Sequence, residues 1–189
     1  MTKKWVAPPL WREEFTGWLA ALKAGGRSEQ TLLTRRRKMT YTAVCLGVSP
    51  YEVTCEMMTQ WFASQSWKPE TRKAYRNTVS SFFAWMRQTG RRNDDPSMEL
   101  PKVKRPRPHP RPCPYKVILA ALARASESEI IMLRLGAECG LRRGEIGRVS
   151  SGDVVDDLVG RSLVVNGKGD KQRIVPLPDD LADLISACD

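Results

Sequence analysis

The first 90 positions place apolar residues at helical spacing, separated by short breaks. Trp11, Phe15, Trp18 and Leu22 follow one another at offsets of 4, 3 and 4, which is one face of a helix, and Gly25-Gly26 stops it. Ser28 is placed to cap a second helix with Leu32, Met39, Ala43 and Leu46 inward. After a turn at Ser49-Pro50, Thr54 is placed to cap a third, with Met57, Met58, Trp61 and Phe62 inward. Pro69 suits the first turn of a fourth helix running to Gly90, because its missing N–H has no intrahelical partner there. Tyr75, Val79, Phe82 and Met86 form its apolar face, while Arg72, Lys73 and Arg76 lie on the other. The expectation for residues 1–90 is a four-helix module with an aromatic core and a basic exterior.

The pattern breaks at residues 91–114, which hold seven prolines among 24 residues. Proline lacks a backbone donor and interrupts helices and ladders alike, so an extended linker is expected. From Pro101 to Pro112 it carries five basic residues and no acid, including Lys104, Arg105 and Arg107. Residues 115–189 form a second unit. A helix is expected over Tyr115–Ala123, with Val117, Ile118 and either Ala121 or Leu122 inward. Ser126 and Glu129 have capping-box spacing ahead of a buried helix from Ile130 to Cys139, which Gly140 ends. A short helix over Arg142–Val149 follows, then strands near 154–159, 163–166 and 173–177. The last two form a hairpin around Asn166-Gly167-Lys168-Gly169-Asp170. Leu181, Leu184, Ile185 and Cys188 mark a final amphipathic helix, expected to be poorly anchored and to lack a partner for its apolar face. The fold class is mainly α with a small β-sheet.

Charge adds a partner. Lys and Arg outnumber Asp and Glu by 31 to 21, a formal net charge of +10, which favours a polyanion and nucleic acid above all. Arg35-Arg36-Arg37-Lys38 lies within the second helix, and four consecutive residues cover most of a helix circumference. Some of them therefore meet phosphates and others solvent. Arg35, Arg36, Lys38, Arg72, Lys73, Arg76, Lys104, Arg105 and Arg107 are the candidate DNA contacts. Five cysteines without a C-x-x-C pair read as a reduced, cytoplasmic protein, and a single histidine, His109, offers no metal centre. No cofactor is implied.

The stretch from Cys139 to Pro178 carries the chemistry. Gly-Leu-Arg-x-x-Glu at 140–145 and Gly-Lys-Gly-x-Lys-x-Arg at 167–173 lie 26 residues apart from arginine to lysine, with strands between them and Pro-Leu-Pro at the exit. In this order, behind a basic helical module, they resemble the first half of the catalytic domain of the tyrosine recombinases, the phage integrase family. The resemblance covers residues from about 10 to 189, by architecture in the first module and by sequence at 139–178. It implies a four-helix, SAM-like core-binding domain followed by an incomplete α+β integrase catalytic domain, the two closing as a C-shaped clamp on duplex DNA at a recombination half-site. Other recombinase protomers are the further partners it implies. Arg142 would clamp the scissile phosphate, a task for which a planar guanidinium that never loses its charge is suited. Lys168 would protonate the departing 5′-oxygen from the hairpin tip. Glu145 would brace the fold near Arg142, and Arg173 and Lys171 would touch backbone phosphates.

The family's remaining active-site residues, the tyrosine nucleophile among them, are expected after residue 188. The four tyrosines of this sequence, Tyr41, Tyr51, Tyr75 and Tyr115, all precede Arg142, so no nucleophile is assigned. The expected function is that of an integrase-type site-specific recombinase in C-terminally shortened form, which binds DNA but does not cut it alone. The alternative is a non-enzymatic DNA-binding protein that occupies or regulates recombination sites.

Overall fold

The computed structural model describes residues 5–104, 110–158, 160–167 and 171–188. The chain forms two compact units that divide between residues 108 and 109.

The first unit holds four helices: α1 (Arg12–Ala24), α2 (Glu29–Leu46), α3 (Cys55–Ala63) and α4 (Pro69–Gln88). The apolar stripes read from the sequence meet in one core. Trp11, Phe15, Trp18, Met39, Met58, Trp61, Val79, Phe82, Phe83 and Met86 are all buried there. Phe82 sits among rings, 5.1–5.6 Å centre to centre from Trp11, Phe15, Trp18 and Phe83. Side chains of this size each contribute roughly 2–3 kcal/mol by leaving water. Helix ends follow local chemistry. The Thr54 hydroxyl accepts the Met57 N–H at 3.1 Å, as expected of a cap, and Gly47 ends α2 at φ 71°. Gly17 admits the Trp85 indole against α1, since a Cβ there would lie 3.0 Å from that ring.

Residues 91–100 differ from the extended spacer that their composition suggested. Asp95, Ser97 and Leu100 are buried against the helices. Arg92 donates to the carbonyls of Pro50 (2.5 Å) and Val53 (3.0 Å), and the Asp95 carboxylate accepts the Ser97 N–H and hydroxyl. The segment is folded because side chains and local turns, not a ladder, supply its hydrogen bonds.

The second unit holds α5 (Tyr115–Leu122), α6 (Glu127–Ala137), α7 (Arg143–Ile146), β1 (Val154–Asp157), β2 (Gly160–Asn166), β3 (Gln172–Pro176) and α8 (Asp179–Ala187). The strands form an antiparallel sheet in the order β1-β2-β3. Its core is Leu135, Cys139, Leu141, Leu163, Val165, Leu177, Leu181, Ala182 and Ile185. The capping box at Ser126 and Glu129 forms as read, at 2.8 Å.

Three expectations fail here. Helix α5 buries no residue, and Val117, expected inward, is exposed. Helix α6 is less buried than its apolar content implied: Leu135 is enclosed, but Met132 is exposed. Helix α8 is anchored, not loose. Leu181, Ala182 and Ile185 pack into the core, Arg134 of α6 grips Asp180 at 2.6 Å, and Arg161 of β2 pairs with Asp183 at 2.5 Å. Glu138 and Asp180 both hold the Arg134 guanidinium, and its pKa is raised accordingly. Beside α8 a groove of about 170 Å³ opens between Ile131, Met132, Ile146, Val149 and Ile185. No helix among the described residues is long and apolar enough to cross a membrane.

Candidate functional site

Three side chains converge where α6 gives way to the sheet. Gly140, at φ 64°, turns the chain out of α6, and the Leu141 N–H closes the turn on the Leu135 carbonyl at 3.1 Å. Leu141 is buried as an anchor, and Arg142 follows at the surface with 79% of its side chain exposed. Arg142 is also the N-cap of α7, where backbone donors lack helical partners. Glu145, in the first turn of α7, fills that need: its Oε2 accepts the Arg142 N–H at 2.8 Å, and its Oε1 accepts from Arg142 Nη1 at 3.0 Å.

Glu145 is only 6% exposed and has a second arginine. Arg173 donates from Nη1 to Oε1 at 3.0 Å and from Nη2 to Oε2 at 2.8 Å, a bidentate fork. Strand register sets this contact. Leu163 and Val165 face the core, and their β3 partners are Val175 and Arg173. Arg173 therefore lies on the inner face, whereas Ile174 between them is exposed. Arg173, expected to touch DNA phosphates, instead has its fork committed to Glu145. The Glu145 carboxyl is held well below the usual carboxylate range, first by Arg173, then by the Arg142 backbone N–H and side chain. The same pairing raises the Arg173 pKa. Lys171 is exposed beside this hairpin. Lys168, the candidate acid, lies outside the described residues.

The basic candidates of the first unit divide into two groups. Arg36 is exposed, and Arg35 and Lys38 are half-buried on α2. Arg35 donates to the Ser81 hydroxyl of α4 at 2.5 Å, and the Lys38 ammonium stands 6.0 Å from the Tyr75 ring centre. Burial, and then Arg27, lowers the Arg35 pKa; burial, and then Arg35, lowers that of Lys38. Like charges crowd here, and among the described residues no carboxylate forms an ion pair with them, an arrangement that an anion relieves. The second group is turned inward. Arg72 donates to the carbonyls of Phe62 (2.6 Å) and Gln65 (2.5 Å). Arg76 donates twice to the Leu100 carbonyl, at 3.1 and 3.0 Å. Both were expected on the outward basic face; both instead staple neighbouring backbone to α4. Lys73 is half-buried and Lys104 is exposed, while Arg105, Arg107 and His109 lie outside the described residues.

Sequence reasoning expected Glu145 near Arg142, where the structure has it, but missed Arg173 as the second arginine on that carboxylate. The signal was the strand period: Arg173 and Val175 share a face, so one cannot be inward without the other.

No family model matches the sequence, and no curated protein matches it. Solved structures do. An integrase from mycobacterium phage Brujita is 28% identical, over 94% of this chain and 62% of its own, with a TM-score of 0.50. A lambda integrase tetramer bound to a Holliday junction matches 96% of this chain and 58% of its own at 18% identity, TM-score 0.67. The XerH site-specific recombinase bound to its difH substrate matches 82% and 49% at 14% identity, TM-score 0.59. This chain thus spans about half to three fifths of the length of these three structures.

Proposed function

We propose, for a chain with the fold of the tyrosine recombinases, the phage integrase family, that these residues hold duplex DNA at a recombination site and present Arg142 to a backbone phosphate. One observation carries the proposal. Arg142 is an exposed guanidinium fixed at its backbone by Glu145, a carboxylate that Arg173 of β3 also holds. A phosphate at Arg142 would meet a planar donor fork carried on a pinned backbone, and stabilising charge on the phosphate oxygens is what phosphoryl transfer asks of a protein. Lys168 is the proposed proton donor to the leaving oxygen. Arg35, Arg36 and Lys38 of the first unit supply a second set of backbone contacts, with Lys73, Lys104, Arg105 and Arg107 as additional cations. The lambda integrase tetramer bound to a Holliday junction and XerH bound to difH support DNA as the partner, and the lambda tetramer supports further protomers.

A second reading has its own observation. Tyr51 donates to Glu14, Tyr41 meets Tyr75 edge-on in the aromatic cluster, and Tyr115 opens α5, so each tyrosine already has a structural place. In this reading these residues form a DNA-binding or regulatory module, and none of these four tyrosines serves as a nucleophile.

The test is binding of a labelled duplex by fluorescence anisotropy. The triple variant R35A/R36A/K38A removes three phosphate partners. At about 0.15 M salt each such contact is worth a few-fold, so a loss of roughly 30-fold is expected. Arg76→Ala, by contrast, is expected to lower stability more than affinity at temperatures where it stays folded. Unchanged affinity in the triple variant would remove α2 from the interface. For the second reading, a nicked duplex carrying the site is expected to give no covalent protein–DNA adduct on a denaturing gel; an adduct would reject it.

A further inference from the structure

Resting on the recombinase reading above, we infer that Arg173 is a positioning residue: it holds the Glu145 carboxylate so that the Arg142 side chain is free to engage a phosphate. Glu145 is shared by two guanidinium groups, and the shares are unequal. Arg173 takes both oxygens, at 3.0 and 2.8 Å. Arg142 makes one side-chain contact, at 3.0 Å, and leaves most of its length in solvent. A carboxylate this enclosed needs a cation, because a buried charge left unpaired is strongly unfavourable. With Arg173 present that need is met from the hairpin, and Arg142 can leave for the loss of one hydrogen bond. Without Arg173, Arg142 is the remaining arginine on this carboxylate and is held there.

The surrounding contacts keep the arrangement in place when Arg142 moves. The Arg142 backbone N–H remains on Oε2 whether or not the side chain has left, so the loop stays pinned. The shoulder of the hairpin rests on the ion pair: a Cβ built on Gly167 would lie 3.7 Å from Arg173 Nη1 and 3.8 Å from Glu145 Oε1. Arg148, just past α7, reaches across to the Asn166 carbonyl at 3.4 Å. The Glu145 carboxylate is thus the main fastening between hairpin and arginine loop, and the fork of Arg173 is its stronger half. A merely structural arginine would stabilise the unit without changing what Arg142 does.

The experiment measures what Arg142→Ala costs in duplex affinity in four backgrounds of the full chain, by anisotropy with one labelled duplex at one salt concentration. Thermal unfolding confirms the folded state of each. In the wild-type background the cost is expected to be about tenfold, the worth of one charge-assisted hydrogen-bonded contact. In R173Q it is expected to fall below about twofold, because Arg142 is already engaged by Glu145. In E145Q/R173Q no carboxylate remains to hold Arg142, and the tenfold cost is expected to return. In R173K, which keeps the charge and loses the fork, the cost is expected to stay well above that in R173Q, and this comparison decides the matter if R173Q does not fold. Equal costs in the wild-type, R173K and R173Q backgrounds would overturn the positioning role while leaving the recombinase reading intact. No cost in any background would take down the reading of Arg142 itself, and the inference with it.

Discussion

Phe82→Ala is expected to destabilise the first unit by about 3–5 kcal/mol, the usual cost of emptying a fully enclosed phenylalanine site. Phe82 is completely buried and touches ring systems from the segment before α1, from α1 itself and from its own helix. Aromatic neighbours of this size cannot collapse into the space without leaving their own contacts, so the cavity term is added to the lost transfer term. Domains of this size are commonly stable by only about 5–15 kcal/mol, so the loss is a large share of the total. The measurement is a urea titration followed by tryptophan fluorescence, which reports this unit because all six tryptophans lie in residues 5–85. A loss below about 1 kcal/mol would mean that the packing around Phe82 is looser than these ring distances imply.

The second large effect concerns α8. Leu181→Ala is expected to cost about 2–5 kcal/mol in the second unit and to abolish amide-exchange protection along α8. Leu181 is fully buried, and the helix carries further restraint from Arg134–Asp180 and Arg161–Asp183. In the wild-type chain, amides of α8 are expected to exchange with those of β2, as one cooperative body. Fast exchange of α8 in the wild-type chain would return it to the unanchored helix that its position in the sequence suggested.

The first unit was legible because its information is one-dimensional. Trp11, Phe15 and Trp18, or Val79, Phe82 and Met86, recur at the helical period, and burial follows the period. The arginines were not legible. Arg72 and Arg76 have long apolar arms and several donors, so they can sit on a polar face by sequence and still end on backbone carbonyls. Which carbonyls need a donor is fixed only when α3 and the segment at residues 97–100 have packed. Residues 91–100 were misjudged for a related reason. Proline content excludes regular elements but says nothing against a segment tied down by Arg92 and Asp95. In the candidate site, the Arg-x-x-Glu spacing placed Glu145 beside Arg142, since three residues is one helical turn. The contact with Arg173 spans 28 residues and depends on which face of β3 turns inward. Hydropathy alone favours Ile174 for the inner face; pairing with Leu163 and Val165 decides for Arg173 and Val175.

The central claim is that these residues hold the phosphate backbone of duplex DNA. The most direct measurement is the affinity of the chain for a labelled 25-base-pair duplex as monovalent salt is raised from 50 to 200 mM. If six or more phosphates are neutralised, affinity is expected to fall by about a thousandfold, with a log–log slope steeper than roughly −5. A slope near zero, or no binding at 50 mM, would contradict the account.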